Sequence, residues 1–149
     1  MPYLAKNEHA FYDYHIIERF EAGIVLSGAE VKAVRAGTIT MKGSFAHLRN
    51  GELFLDNMHI SPYQPAGPAL DYDPRRTRKL LLKKGELRRL IGKLNEKGLT
   101  VVPLGVYTKA TRIKVEIGLA RGKRQYEKRE IIKKRDIEKE IRTQLKRFS

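Results

Sequence analysis

Arg112-Ile113-Lys114-Val115-Glu116-Ile117-Gly118-Leu119-Ala120 alternates from end to end. Ile113, Val115, Ile117 and Leu119 point one way; Arg112, Lys114, Glu116 and Gly118 point the other. That period of two is the pattern of an antiparallel strand with one face buried and one wetted. Residues 99–107 (LTVVPLGVY) read as the strand before it, with Pro103 demanding an edge or a bulge. Residues 11–26 are rich in aromatic and β-branched side chains and read as extended. Ser44–Arg49 and Glu52–Asn57 flank Asn50-Gly51, a dipeptide suited to the type I′ turn of a hairpin. Two helices interrupt these strands. Ser27 and Glu30 form a capping box that opens a helix over Ala29–Ala36, with Gly37 as its stop. Leu87, Leu90, Ile91 and Leu94 fall at i, i+3, i+4 and i+7, one buried stripe of a helix that Gly98 ends. Residues 61–74 hold four of the six prolines and read as a loop. The class expected is mainly β with peripheral helices: an oligonucleotide-binding-type antiparallel barrel over residues 1–120, followed by a basic tail over 121–149.

The charge is unevenly placed. The 149 residues carry 31 Lys and Arg against 17 Asp and Glu, a net of +14. Residues 74–97 hold ten Lys or Arg against Glu86 and Glu96, and residues 121–149 hold twelve against five acids. A near-neutral body thus carries a basic segment and a basic tail, two contact surfaces for a polyanion such as RNA. In the tail, Ile137, Ile141, Leu145 and Phe148 recur at helical spacing among dense cations. This predicts a helix that is disordered alone and orders on a polyanion, against the alternative of a helix docked on the barrel.

Catalytic constellations are not evident. With no Cys there is no disulfide framework, thiolate metal site or thiol nucleophile. His9, His15, His47 and His59 have no metal-ligand spacing, and Glu21, Glu30, Glu52 and Glu116 are scattered over different elements. No phosphate-binding loop or nucleophile elbow occurs. No apolar run approaches the ~18 residues that span a bilayer, and residues 1–14 lack a signal-peptide core. The expectation is a cytoplasmic protein without enzymatic activity, cofactor or membrane partner. Tyr126, set among cations, suits stacking on an unpaired base.

Several strings together resemble a known family. They include Phe20-Glu21-Ala22-Gly23-Ile24, Asp73-Pro74-Arg75-Arg76-Thr77-Arg78-Lys79-Leu80-Leu81-Leu82, Lys114-Val115-Glu116-Ile117-Gly118-Leu119-Ala120-Arg121-Gly122-Lys123 and Tyr126-Glu127-Lys128-Arg129. In this order, over nearly the whole chain, they are similar to the bacterial SsrA-binding (small protein B) family, the partner of transfer-messenger RNA. The resemblance implies an RNA-binding factor of trans-translation. Its barrel holds the transfer-RNA-like domain and delivers it to the A site of stalled ribosomes, while its tail occupies the decoding centre and empty message channel. Further partners implied are the elongation factor and the alanyl-tRNA synthetase that act on the same RNA; a monomer suits this role.

By position, the resemblance places Lys6, Asn7, Glu21, Arg75, Arg78, Lys79, Leu81 and Lys83 on the RNA. Lys83 stands where relatives often have Asn or His. On the ribosome it places Gly122 as the tail's hinge, Lys123, Arg124, Tyr126, Lys128, Arg129, Lys133, Lys134 and Arg135 as basic or stacking positions, and Ile141 and Leu145 as the apolar side of the tail helix. From the residues alone, other roles stay open: Leu81 as core, Glu21 as a turn residue before Gly23, and Arg75, Arg78 and Lys79 as partners of Asp71 and Asp73. A structural ribosomal protein with a basic extension and an RNA-processing enzyme are the competing functions.

Overall fold

The computed structural model describes residues 3–63 and 71–123. Nine strands and three helices follow in chain order there: β1 (Ala5–Lys6), α1 (Glu8–Asp13), β2 (Tyr14–Ile24), α2 (Gly28–Arg35), β3 (Ile39–Thr40), β4 (Phe45–Arg49), β5 (Glu52–Asp56), β6 (His59–Ile60), β7 (Arg78–Leu81), α3 (Lys84–Leu94), β8 (Leu99–Lys109) and β9 (Arg112–Gly122). Seven strands form one antiparallel sheet in the order β1-β8-β9-β2-β7-β5-β4, and β3 pairs with β6 beside it. The sheet curls until β4 lies against β8, without a hydrogen-bonded ladder between them. Its concave side holds the core: Phe20, Leu53, Leu55, Leu80, Val115, Ile117 and Leu119, covered by α2 and by Leu90 of α3.

The alternating segment behaves as its pattern demands. Ile113, Val115, Ile117 and Leu119 are buried in β9, while Arg112 is exposed and Lys114 and Glu116 are half-exposed. Pro103 sits where the β8–β9 register shifts, between Pro103 and Gly105. The bulge absorbs the missing N–H of the proline, as a strand proline requires. Asn50 and Gly51 both take positive φ, 52° and 74°, and close the β4–β5 hairpin. The capping box at Ser27 forms in full: the Ser27 hydroxyl accepts from the Glu30 N–H, and Glu30 accepts from the Ser27 N–H.

Three local expectations need correction. Residues 11–13 are not extended; Phe11 and Tyr12 belong to α1, whose Ala10 is buried against Val102, Leu104 and Ala120. Tertiary burial outweighs the strand propensity of those aromatics. The second long helix ends at Leu94 with Asn95 as cap, and Gly98, at φ 84°, turns the chain into β8 instead. The paired structure also outlasts Ala120. Gly122 is the last residue of β9, opposite Tyr14, and the Lys123 N–H donates to the Asp13 carbonyl. The ladder therefore fixes Gly122, which was expected to be a hinge. Arg124, Tyr126, Lys128, Arg129, Lys133, Lys134, Arg135, Ile141 and Leu145, with the expected tail helix, lie outside the described residues.

Candidate nucleic-acid interface

The basic string Arg75–Lys79 does two different jobs. Arg78 is 0% exposed, and its guanidinium is filled from every side. Nε donates to Glu30 Oε2 at 2.8 Å, and the two terminal nitrogens donate to the carbonyls of Met58 and Pro74 and to the Tyr72 hydroxyl. Arg76 pairs with the other oxygen of the same Glu30 carboxylate. Burial alone pushes Glu30 up, but hydrogen bonds from Arg76, the Ser27 N–H and Arg78 outweigh it and hold the carboxyl at about 2. Arg78 is thus a core residue that ties β7 to α2 and to the chain beside β6. The expectation that it touches RNA is corrected: its donors are spent inside the fold. The capping box hinted at Glu30, and the alternation of Arg78 with Leu80 would have placed this arginine inward.

The flanking residues face out. Arg75 is exposed, its side chain reaching the Asn57 carbonyl and side chain at 3.4 Å, and its N–H donates to Asp73. Lys79 pairs with Glu52 at 3.1 Å. The carboxylate partners of Arg78 and Lys79 are therefore Glu30 and Glu52, not Asp71 and Asp73. Leu81, on the same outward register as Lys79, is 50% exposed, which removes the core reading for it.

Leu81 sits opposite Gly23, and Gly23 sits opposite Lys114. Together they border a groove of about 450 Å³, with Ile24 and Leu26 on its floor and Arg112 and Lys114 at its rim. Lys83 follows as the exposed cap of α3. Arg112 and Lys114 were not singled out from the sequence; only the cross-strand register brings them to Leu81.

Glu21 is in mid-strand and not in a turn. It lies directly opposite Glu116, so carboxylates far apart in sequence meet on one face. Each is held separately. Tyr3 donates to Glu116 at 2.5 Å and Arg19 donates to it at 3.2 Å. Lys109 donates to Glu21 at 3.3 Å. Desolvation raises the Glu21 carboxyl, but hydrogen bonds from Tyr107 and Lys109 together outweigh it and hold it below the usual range, while burial and the Glu21 acceptor push the Tyr107 hydroxyl well up. Glu21 is thus an ionised, oriented acceptor at the surface. Such an acceptor suits a base amino group or a ribose 2′-hydroxyl, not a phosphate.

Of the N-terminal pair, Lys6 is half-exposed and lies 4.8 Å from the centre of the Phe11 ring. Asn7 is 6% exposed and its side chain donates to the Pro103 carbonyl at 2.8 Å, closing the β8 bulge. Its side chain is turned into the fold, which leaves the expected RNA contact at Asn7 little surface to meet. Lys123 reaches the Phe11 carbonyl at 3.1 Å.

Among the described residues no group of three or more His, Asp or Glu side chains is placed to hold a metal ion. No described helix is long and apolar enough to cross a membrane. A mainly antiparallel curled sheet with one exposed face of oriented polar, apolar and cationic groups places the protein among the mainly-β folds that present an open binding face. The chain matches the family model described as SmpB protein over residues 4–147, and it belongs to that family. It is 52% identical over 143 residues to the SsrA-binding protein of Carboxydothermus hydrogenoformans, covering 96% of this chain and 95% of that one. Identity to the SsrA-binding protein of Streptococcus pyogenes is also 52%, over 146 residues, 98% of this chain and 94% of that one. A solved structure described as "tmRNA-SmpB: a journey to the center of the bacterial ribosome" superimposes with a TM-score of 0.65 at 50% identity, covering 85% of this chain and 92% of the other.

Proposed function

We propose that this protein binds transfer-messenger RNA through the face bearing Glu21, Leu81, Lys83, Arg112 and Lys114, and carries it to ribosomes stalled in translation. It acts by binding, with no catalytic step of its own. The half-exposed Leu81 carries the reading, an apolar residue held outward between Gly23 and two cations. A leucine so placed packs on a nucleoside face or sugar, while Arg112, Lys114 and Lys83 hold phosphates and Glu21 reads a hydrogen-bond donor. Cations supply affinity for any RNA; Glu21 and Leu81 supply preference for one. The relatives' name, SsrA-binding protein, and the ribosomal setting of the similar structure support the same role. Arg124, Tyr126 and the cations beyond them are assigned to the decoding centre and the empty message channel.

The test is competition at near-physiological salt among transfer-messenger RNA, ordinary transfer RNA and random RNA. The wild-type protein prefers the first. Leu81→Ser lowers that preference about tenfold, the weight of one well-packed apolar contact, with its melting temperature kept. Equal binding of all three RNAs by the wild type overturns the reading.

A further inference from the structure

The RNA face does not end at Leu81. Leu53, Leu55 and Leu80 point into the core, so Phe54 and Lys79 point out, and the register sets them side by side. His47 lies opposite Phe54 on the next strand and stacks on it, ring centres 5.7 Å apart and planes 24° from parallel. Phe45 stands 6.4 Å from His47 and is 53% exposed. Lys79, Phe54, His47 and Phe45 therefore form one outward strip across β7, β5 and β4, continuous with Leu81.

Three rings on one open sheet face are costly in water unless something covers them. The surroundings favour an anion-bearing partner. Arg49 closes the strip at the end of β4, exposed and with no carboxylate partner among the described residues; Lys42 lies exposed before it. The acids nearby are already matched: Glu52 pairs with Lys79, and Asp56 accepts from the Thr77 hydroxyl at 2.6 Å. Adjacent aromatic planes flanked by cations are the arrangement that receives splayed bases while the backbone is held at the edges.

We infer that Phe45, His47 and Phe54 form a stacking platform for unpaired nucleotides of the same RNA that sits on the Leu81 groove. The inference rests on the RNA-binding reading above. Phe45 is the outermost ring and takes the first base; Lys42 and Arg49 take the phosphates on either side of it. Arg49 and Lys42 thereby contribute to the salt dependence of binding, and Phe45 does not.

The full-length protein tests it directly. The chain contains no Trp, so Phe45→Trp installs a single indole on the platform. Titration with transfer-messenger RNA quenches that indole as a base stacks on it, at the same RNA concentration at which a labelled-RNA shift reports binding. Phe45→Ala weakens binding by about tenfold, within the range for one lost base stack, and leaves the slope of affinity against salt unchanged. Phe45→Tyr restores it. An unquenched indole on a protein saturated with RNA overturns the platform and leaves the Leu81 groove standing. So does a Phe45→Ala protein that binds RNA normally and fails only on ribosomes. If the wild type shows no preference for transfer-messenger RNA, it is the underlying reading that falls.

Discussion

At the scale of the residue, the deciding pair is Glu30 with Arg78. A carboxylate 1% exposed and a guanidinium 0% exposed are stable only because each is fully matched. Arg78→Met leaves a buried carboxylate short of its buried partner and costs about 3–5 kcal/mol in urea unfolding. Yet RNA affinity of the folded fraction is unchanged, because Arg78 has no surface. The pH dependence follows from the same pair. The folded Glu30 carboxyl is held at about 2, below the 4.5 of a free glutamate side chain, so the unfolded chain binds more protons between those values. Its contribution is complete above about pH 4.5 and disappears as the pH falls towards 2, about 3 kcal/mol in all. Glu30→Gln is less stable at neutral pH and flatter across that window; a parallel pair of stability curves would refute the assignment. None of this was legible from charge counting. Arg75, Arg76 and Arg78 are the same residue type in one string, yet Arg75 is exposed, Arg76 is half-buried against Glu30, and Arg78, the first residue of β7, is fully buried.

At the scale of the element, short-range chemistry was readable and long-range pairing was not. The Ser27–Glu30 box, the Asn50-Gly51 turn, the Pro103 irregularity and the β9 alternation all depend on neighbours within a few residues, and each forms as its sequence dictates. The meeting of Glu21 with Glu116, or of Gly23 with both Leu81 and Lys114, depends on which strands pair and in what register. Strand pattern alone does not carry that information. The β8 bulge shows how one such long-range contact is held. Asn7 donates to the Pro103 carbonyl, the Leu4 N–H donates to Val106, and the Tyr3 ring lies across Gly105. A Cβ at residue 105 would lie 2.5 Å from Tyr3 Cε1 and closer still to its Cδ1, far inside van der Waals contact. Gly105→Ala therefore expels Tyr3, frees Glu116 from its phenol partner and undocks β1. Hydrogen exchange should speed up at Leu4 and Lys6 by an order of magnitude or more, with about 1–3 kcal/mol lost overall. Exchange at the Ala22 and Leu80 amides, on the far side of the sheet, stays slow. Uniform acceleration would mean that Gly105 supports the whole sheet rather than its edge strand.

At the scale of the molecule, charge divides the work between the folded sheet and the residues beyond it. Residues 124–149 hold ten Lys and Arg against five acids, and the rest of the chain still carries a net positive charge. Two cationic parts acting on different RNAs leave a signature that one continuous surface does not. Each phosphate contact lowers the slope of log affinity against log salt by about 0.7–0.9. The proper cut falls after Lys123, because Arg121 and Gly122 pair with β2 and the Lys123 N–H holds the end of α1. A chain ending there should bind free transfer-messenger RNA with nearly the full-length slope, since the Leu81 face and its cations are intact. On stalled ribosomes the same chain should lose several units of slope, most of its affinity and all peptide tagging. Were the truncated chain to lose slope equally on both RNAs, the tail would be one more arm of the same interface. Normal tagging by the truncated chain would remove the tail from the mechanism altogether.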